Sequence, residues 1–132
     1  MFLSTALMCL SMNIFHESRG EPLEGRIAVA NVTMTRAKND ARNVCRVVLK
    51  RKQFSWTLHT KKVGGKTWVN PAPIAKEPVA WAKAVILAQF ALWGLLPERV
   101  DNATHFHTVR VSPYWKDHYV MVAQIGDHIF YK

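Results

Sequence analysis

Acidic residues are scarce in this chain. Nine aspartates and glutamates oppose 18 lysines and arginines, which leaves a formal charge of +9 over 132 residues. Such a surface seeks an anionic partner, whether nucleic acid, an acidic membrane face or a cell-wall polymer. No apolar run approaches the ~18 residues that a spanning helix needs, so membrane insertion is not expected. Glycine and proline number 6 each and cysteine only 2, and this composition excludes a collagen-like chain, a disordered tail and a disulfide-stapled miniprotein. Apolar residues make up 49%, enough for one core, and the length suits a single domain over residues 1–132. Cys9 and Cys45 lie in apolar stretches and read as small core residues rather than as a bridge. The apolar start, Met1 to Ile14, lacks the basic n-region of a signal peptide and runs directly into a polar motif. It reads as the first helix of the domain, made in the cytoplasm of a bacterium or host.

Helical periodicity dominates the first third. Leu3, Ala6, Leu7, Leu10 and Ile14 recur at helical spacing, with Arg19 and a left-handed Gly20 expected to close that helix. Pro22 suits the first turn of a second helix, whose stripe is Leu23, Ile27, Ala30 and Met34. A short helical piece follows around Val44 to Leu49. Residues 50–75 read as a basic loop region of the kind that shapes binding sites. Pro78 opens another helix, with Trp81, Val85, Ala88 and Leu92 on one stripe. Beyond it, Thr104 to Val111, Tyr119 to Ile125 and His128 to Tyr131 read as strands, the last two joined by a tight Gly126-Asp127 turn. Helices first and a small antiparallel sheet last define an α+β domain.

The densest chemistry lies in His16-Glu17-Ser18-Arg19-Gly20-Glu21-Pro22, at the junction of the first two helices. Glu17 falls in the last turn of an apolar helix, where the dipole and partial burial both disfavour its charge. A carboxylic acid kept protonated near neutrality can protonate the leaving oxygen of a glycoside. The alternative is an ordinary ion pair of Glu17 with Arg19, Arg26 or Arg36. Glu21 is expected to be structural, capping the second helix.

These residues resemble the cell-wall hydrolase family typified by the spore-cortex-lytic enzymes SleB and CwlJ. Glu17-Ser18-Arg19-Gly20-Glu21 is similar to its E-A-R-G-E motif, and Gly25, Ala28-Val29-Ala30 and Arg36 follow in register. Gln53-Phe54-Ser55 is similar to its Q-F-S. Trp115, Ile125-Gly126, His128, Phe130 and Tyr131 are similar to its final segment. Ser18 and Thr35 depart from the pattern, and Lys61 to Pro73 has no counterpart. The resemblance implies a lysozyme- or lytic-transglycosylase-like active-site helix. It further implies cleavage of peptidoglycan glycan strands between N-acetylmuramic acid and N-acetylglucosamine, with Glu17 as acid and base and no cofactor. Ser18 either orients that acid or is a plain helix-end residue. The expected setting is the periplasm or outer wall, as a monomer acting there, with size and charge favouring a phage lysis enzyme over a small bacterial wall hydrolase.

Phe54, Trp56, Phe106, Trp115 and Tyr131 can offer flat faces to sugar rings, with Trp56 and Phe106 expected to be the most exposed. Gln53 and Ser55 are candidates for N-acetyl groups, with His105 and His128 beside them. Lys50-Arg51-Lys52, Lys61-Lys62 and Lys66 are expected to help hold an anionic wall. Two rival readings remain at this stage. His105, His107 and His128 can ligate zinc in an amidase, a peptidase or a metal-dependent nuclease, although no H-E-x-x-H or C-x-x-C signature is present. A basic wall-binding or nucleic-acid-binding module without catalysis is the other, whereas the glycosidase reading expects no nucleic acid.

Overall fold

Thr5 starts the first helix, its Oγ1 accepting the Met8 N–H at 3.1 Å as an N-cap should. The computed structural model describes all residues, Met1–Lys132. Helix α1 (Ala6–Ser18) follows a two-residue strand, β1 (Phe2–Leu3), which the apolar sequence had hidden inside the helix. Leu10, Ile14 and Phe15 are fully buried, so α1 is sheathed on most sides by α2 (Leu23–Arg36), α3 (Ala41–Val48) and α5 (Pro78–Leu92). A helix apolar around much of its circumference must sit in the centre. The chain leaves α1 through Arg19, whose N–H reaches the Phe15 carbonyl, and Gly20 is not left-handed.

Helix α2 separates two cores. Ile27, Ala30 and Met34 join the main core with α1 and α5, while Ala28, Val29 and Val32 meet Phe130, Val100 and Ala103 in a second one. The Leu23 end of the expected stripe is half exposed. On α5 the expected face also turns: Ala84, Leu87, Ala88 and Ala91 are buried, and Ile86, Phe90 and Trp93 face outward. Only Lys83 and Gln89 are polar along that helix, so periodicity had little to select a face with.

The basic stretch is more ordered than its composition implies. It holds a 3₁₀ turn (Ser55–His59), then β2 (Lys61–Val63) and β3 (Lys66–Trp68), then α4 (Ala72–Lys76). Gly64 and Gly65 have φ of 57° and 77°, and two left-handed residues make the tight turn joining β2 to β3. β3 is central in the first antiparallel sheet, ordered β1-β3-β2. The second sheet, ordered β4-β6-β5, comprises β4 (His105–Thr108), β5 (Met121–Ile125) and β6 (His128–Tyr131). Ile125 pairs with His128 across the two-residue Gly126-Asp127 turn, as the sequence predicts. Five helices and two small antiparallel sheets make the α+β fold. No helix is long and apolar enough to cross a membrane.

Cys9 and Cys45 are bonded, against the expectation of two free core thiols. Cys9 faces α3 from α1, and the Cα atoms lie 5.3 Å apart, within bridging range.

Candidate active site

Glu17 sits in the last turn of α1 at the edge of a cleft closed by the Lys52–Ser55 loop, β4, Pro113, Trp115 and His128. The cleft encloses about 270 Å³. Burial pushes the Glu17 carboxyl up to about 7, and no cation answers it. Each arginine that might have paired with it is occupied elsewhere. Arg19 Nε lies 2.6 Å from Glu77, Arg26 Nε donates to the Glu21 carbonyl at 3.2 Å, and Arg36 donates to Gln53. None of the three bridges to Glu17, so the ion-pair alternative does not hold. Glu17 is a carboxyl that burial holds toward its neutral form, open to a ligand, which is the state a proton donor requires.

The shell behind Glu17 is polar but closed. Asn13, fully buried one turn earlier, accepts the Trp56 indole N–H at 2.9 Å and donates to Thr33 Oγ1 at 3.1 Å, and Thr33 donates onward to Val29. Trp56 is thus a core residue, 8% exposed, and does not line the cleft, contrary to expectation. Its N–H found a buried acceptor, and its ring stacks on His16 at 5.0 Å. Burial among these rings, with Arg19 and His59 nearby, lowers His16 to about 4, so it is neutral beside Glu17. Ser18 is buried and donates to the Ile14 carbonyl at 2.7 Å. The hydroxyl is spent inside the helix and does not orient Glu17.

Glu21 is structural, though not as a helix cap. Pro22 occupies the cap of α2 without any side-chain bond. Glu21 Oε1 instead accepts the Asp127 N–H at 2.7 Å, which pins the β5–β6 turn against the start of α2. His128 Nδ1 lies 3.2 Å from the same oxygen but off the hydrogen-bond direction. Burial holds this imidazole below its ordinary value, outweighing the pull of Glu21. Gly126 is required at this latch. Its φ is 56°, and a Cβ there would meet Glu21 Oε1 at 2.9 Å and Pro22 Cδ at 3.1 Å. Gly126→Ala is expected to lose about 2–4 kcal/mol, combining the left-handed penalty with a displaced charged hydrogen bond. Urea unfolding measures this, and a loss below 1 kcal/mol would show that the latch is not closed in solution.

Of the other predicted residues, Gln53, Phe54, Ser55, His105, Phe106 and His128 all line the cleft. Phe54 does so by an edge, since it is 6% exposed, and Tyr131 is buried as well. The partly exposed aromatic residues of the cleft are Phe106 and Trp115. His105 stacks on Tyr119 at 4.1 Å, and burial, with Arg36 nearby, holds its imidazole below the ordinary value. The histidines do not form a ligand set. His107 uses Nδ1 on the Thr108 carbonyl and Nε2 on the Tyr131 hydroxyl, at 2.7 and 2.8 Å, and His105 Nδ1 bonds Thr104. No three His, Cys, Asp or Glu side chains come together around a point that would hold a metal ion. The sequence offers Arg36 only as a motif residue and a candidate partner of Glu17, and nothing in it singles out Asn13.

A carboxyl held toward its neutral form in a polar cleft that also holds partly exposed aromatic rings is the outline of a polysaccharide-cleaving site. Residues 20–131 match the cell wall hydrolase family, and the chain belongs to that family. It acts on the cell wall in that coarse sense. The catalytic domain of the Bacillus cereus SleB protein is 26% identical, with a TM-score of 0.67 over 96% of this chain and 89% of that one. The catalytic domain of the germination-specific lytic transglycosylase SleB from Bacillus anthracis is 22% identical, with a TM-score of 0.63 over 96% and 93%, a likeness of fold. No curated protein matches the chain.

Proposed function

We propose that the protein cleaves peptidoglycan glycan strands between N-acetylmuramic acid and N-acetylglucosamine as a lytic transglycosylase, with Glu17 as its one acid and base. The observation that carries this reading is that Glu17 is the only carboxylate lining the cleft. Glu21 is committed to Asp127, and Asp101 lies out on the surface, 3.5 Å from Lys132. A hydrolysing glycosidase of the usual kind needs two carboxyl groups, ~5–5.5 Å or ~6.5–9.5 Å apart according to stereochemistry. A single carboxyl suits a reaction that recruits no water.

In the first step neutral Glu17 gives its proton to the glycosidic oxygen as the bond to muramyl C1 breaks, releasing the glucosamine 4-hydroxyl. The carboxylate left behind then takes the proton of the muramyl 6-hydroxyl while that oxygen bonds to C1. The 1,6-anhydro ring closes and Glu17 is neutral again. A carboxyl near 7 serves both halves, because neither protonation state is far from the ambient pH. Phe106 and Trp115 offer ring faces to the sugars. Gln53, with its oxygen taken by Arg36, keeps its amide N–H groups for an acetamido carbonyl beside the exposed Ser55 hydroxyl. Residues 1–132 form one catalytic domain in this reading, working as a monomer without a resident cofactor.

Mass spectrometry of fragments released from purified sacculi tests the reaction. Fragments ending in 1,6-anhydromuramic acid, one water lighter than hydrolysed ends, are expected. Only reducing ends would overturn the transglycosylase step, and no glycan fragments would overturn the substrate.

A further inference from the structure

The positive charge of this chain is not spread evenly. Residues 41–76 contain nine lysines and arginines and no acid, so this stretch carries the whole formal excess of +9 while the rest is balanced. Of those nine only Arg42 has a carboxylate partner, Asp40. Beside the cleft the stretch shapes a second hollow of about 730 Å³, walled by Arg36, Arg46, Lys50 and Lys62, with Val47 and Leu49 among its lining. None of these four cations meets an acid. Arg36 is turned by Gln53, Arg46 by Asn43 and Lys62 by Thr67, all neutral partners. Arg36 is partly buried and lines both the hollow and the cleft of Glu17, so the two are neighbours through one guanidinium.

We propose that this hollow binds the carboxylates of the peptide stem carried by the muramyl sugar, making the enzyme selective for peptide-bearing over bare glycan. The inference rests on the peptidoglycan reading and adds the substituent it selects. The stem hangs from the same sugar whose C1 reacts at Glu17, so it leaves the cleft within a few ångströms of the chemistry. Arg36, which lines both the cleft and the hollow, joins the two spaces. Stem peptides carry free carboxylates separated by alanyl methyls. A planar fork suits a carboxylate bidentately, lysines supply charge at longer reach, and the valine and leucine suit the methyls. Wall phosphopolymers share the charge but have no need to emerge beside the scissile bond.

The test compares peptide-bearing glycan strands, freed of phosphopolymer, with the same strands stripped of stems by an amidase. Each exposed ion pair contributes a few-fold at most, so three together should favour peptide-bearing strands by about tenfold in kcat/KM, chiefly through KM. That preference should shrink as salt shortens the screening length. The triple variant Arg46→Gln, Lys50→Gln, Lys62→Gln should bring the ratio near one. The charge-keeping triple Arg46→Lys, Lys50→Arg, Lys62→Arg should restore it. Equal cleavage of both substrates by the wild type, or a ratio untouched by the neutral triple, overturns the proposal and leaves the peptidoglycan reading standing. Cleavage of neither substrate overturns both. A ratio that appears only when phosphopolymer is left on the wall assigns the hollow to that polymer instead.

Discussion

Glu17→Gln protein is expected to cleave purified sacculi about 10²–10⁴-fold more slowly than wild type, the usual worth of a positioned proton donor. The amide keeps the shape and removes the proton. Wild-type activity should also fall as pH rises through about 7, because the acid form is the competent one for the first step. Stability provides a second readout of the same group. The folded carboxyl titrates near 7 against 4.5 for its ordinary value, so the folded state holds the extra proton between those limits. The unfolded chain releases its proton first, and folding stability must therefore fall as pH rises from about 4.5 through 7. The glutamine variant has no such loss. At pH 4 the two proteins should melt together, and at pH 8 the variant should be the more stable by on the order of 2 kcal/mol, discounted for partial exposure. An inactive variant that is also less stable at pH 8 would mean that Glu17 holds the fold and does not sit neutral in the cleft. Near-wild-type clearing would remove Glu17 from the chemistry.

Much of this site was legible because it is local. The apolar run before Glu17, the Gly20-Pro22 break and the Gly126-Asp127 turn each report on a few neighbouring residues, and the structure has all three, though Gly20 lacks the left-handed φ expected of it. What failed was what depends on distant partners. Trp56 looked like an exposed sugar platform because nothing local reveals that Asn13, 43 residues earlier, offers its indole an acceptor. Glu21 looked like a helix cap because its partner, the Asp127 N–H, lies 106 residues away. The β2–β3 hairpin was hidden by its brevity, since three residues on either side of Gly64-Gly65 give too short an alternation to recognise. The face of α5 was hidden by the opposite fault, an excess of apolar residues.

The link between Cys9 and Cys45 belongs to the same class of long-range fact, and its loss should be the largest single change in stability. The bridge spans 36 residues of sequence and ties α1, which carries Glu17, to α3. Opening a loop of that length frees the unfolded chain by about 3–4 kcal/mol in the chain-entropy account. At ~4 °C per kcal/mol for a domain of this size, the melting temperature should fall by more than 10 °C on reduction. The effect on the cleft should be smaller, because the last turns of α1 are separately held by the Asn13 bonds to Trp56 and Thr33. Activity well below the lowered melting temperature should accordingly survive reduction. The check is a pair of thermal melts with and without dithiothreitol. Wild type should lose stability on reduction, and Cys9→Ala/Cys45→Ala should start low and not respond. Two free thiols titrated in the unreduced folded protein, or a melting temperature indifferent to dithiothreitol, would show that the cysteines do not pair and that α1 is held by packing alone.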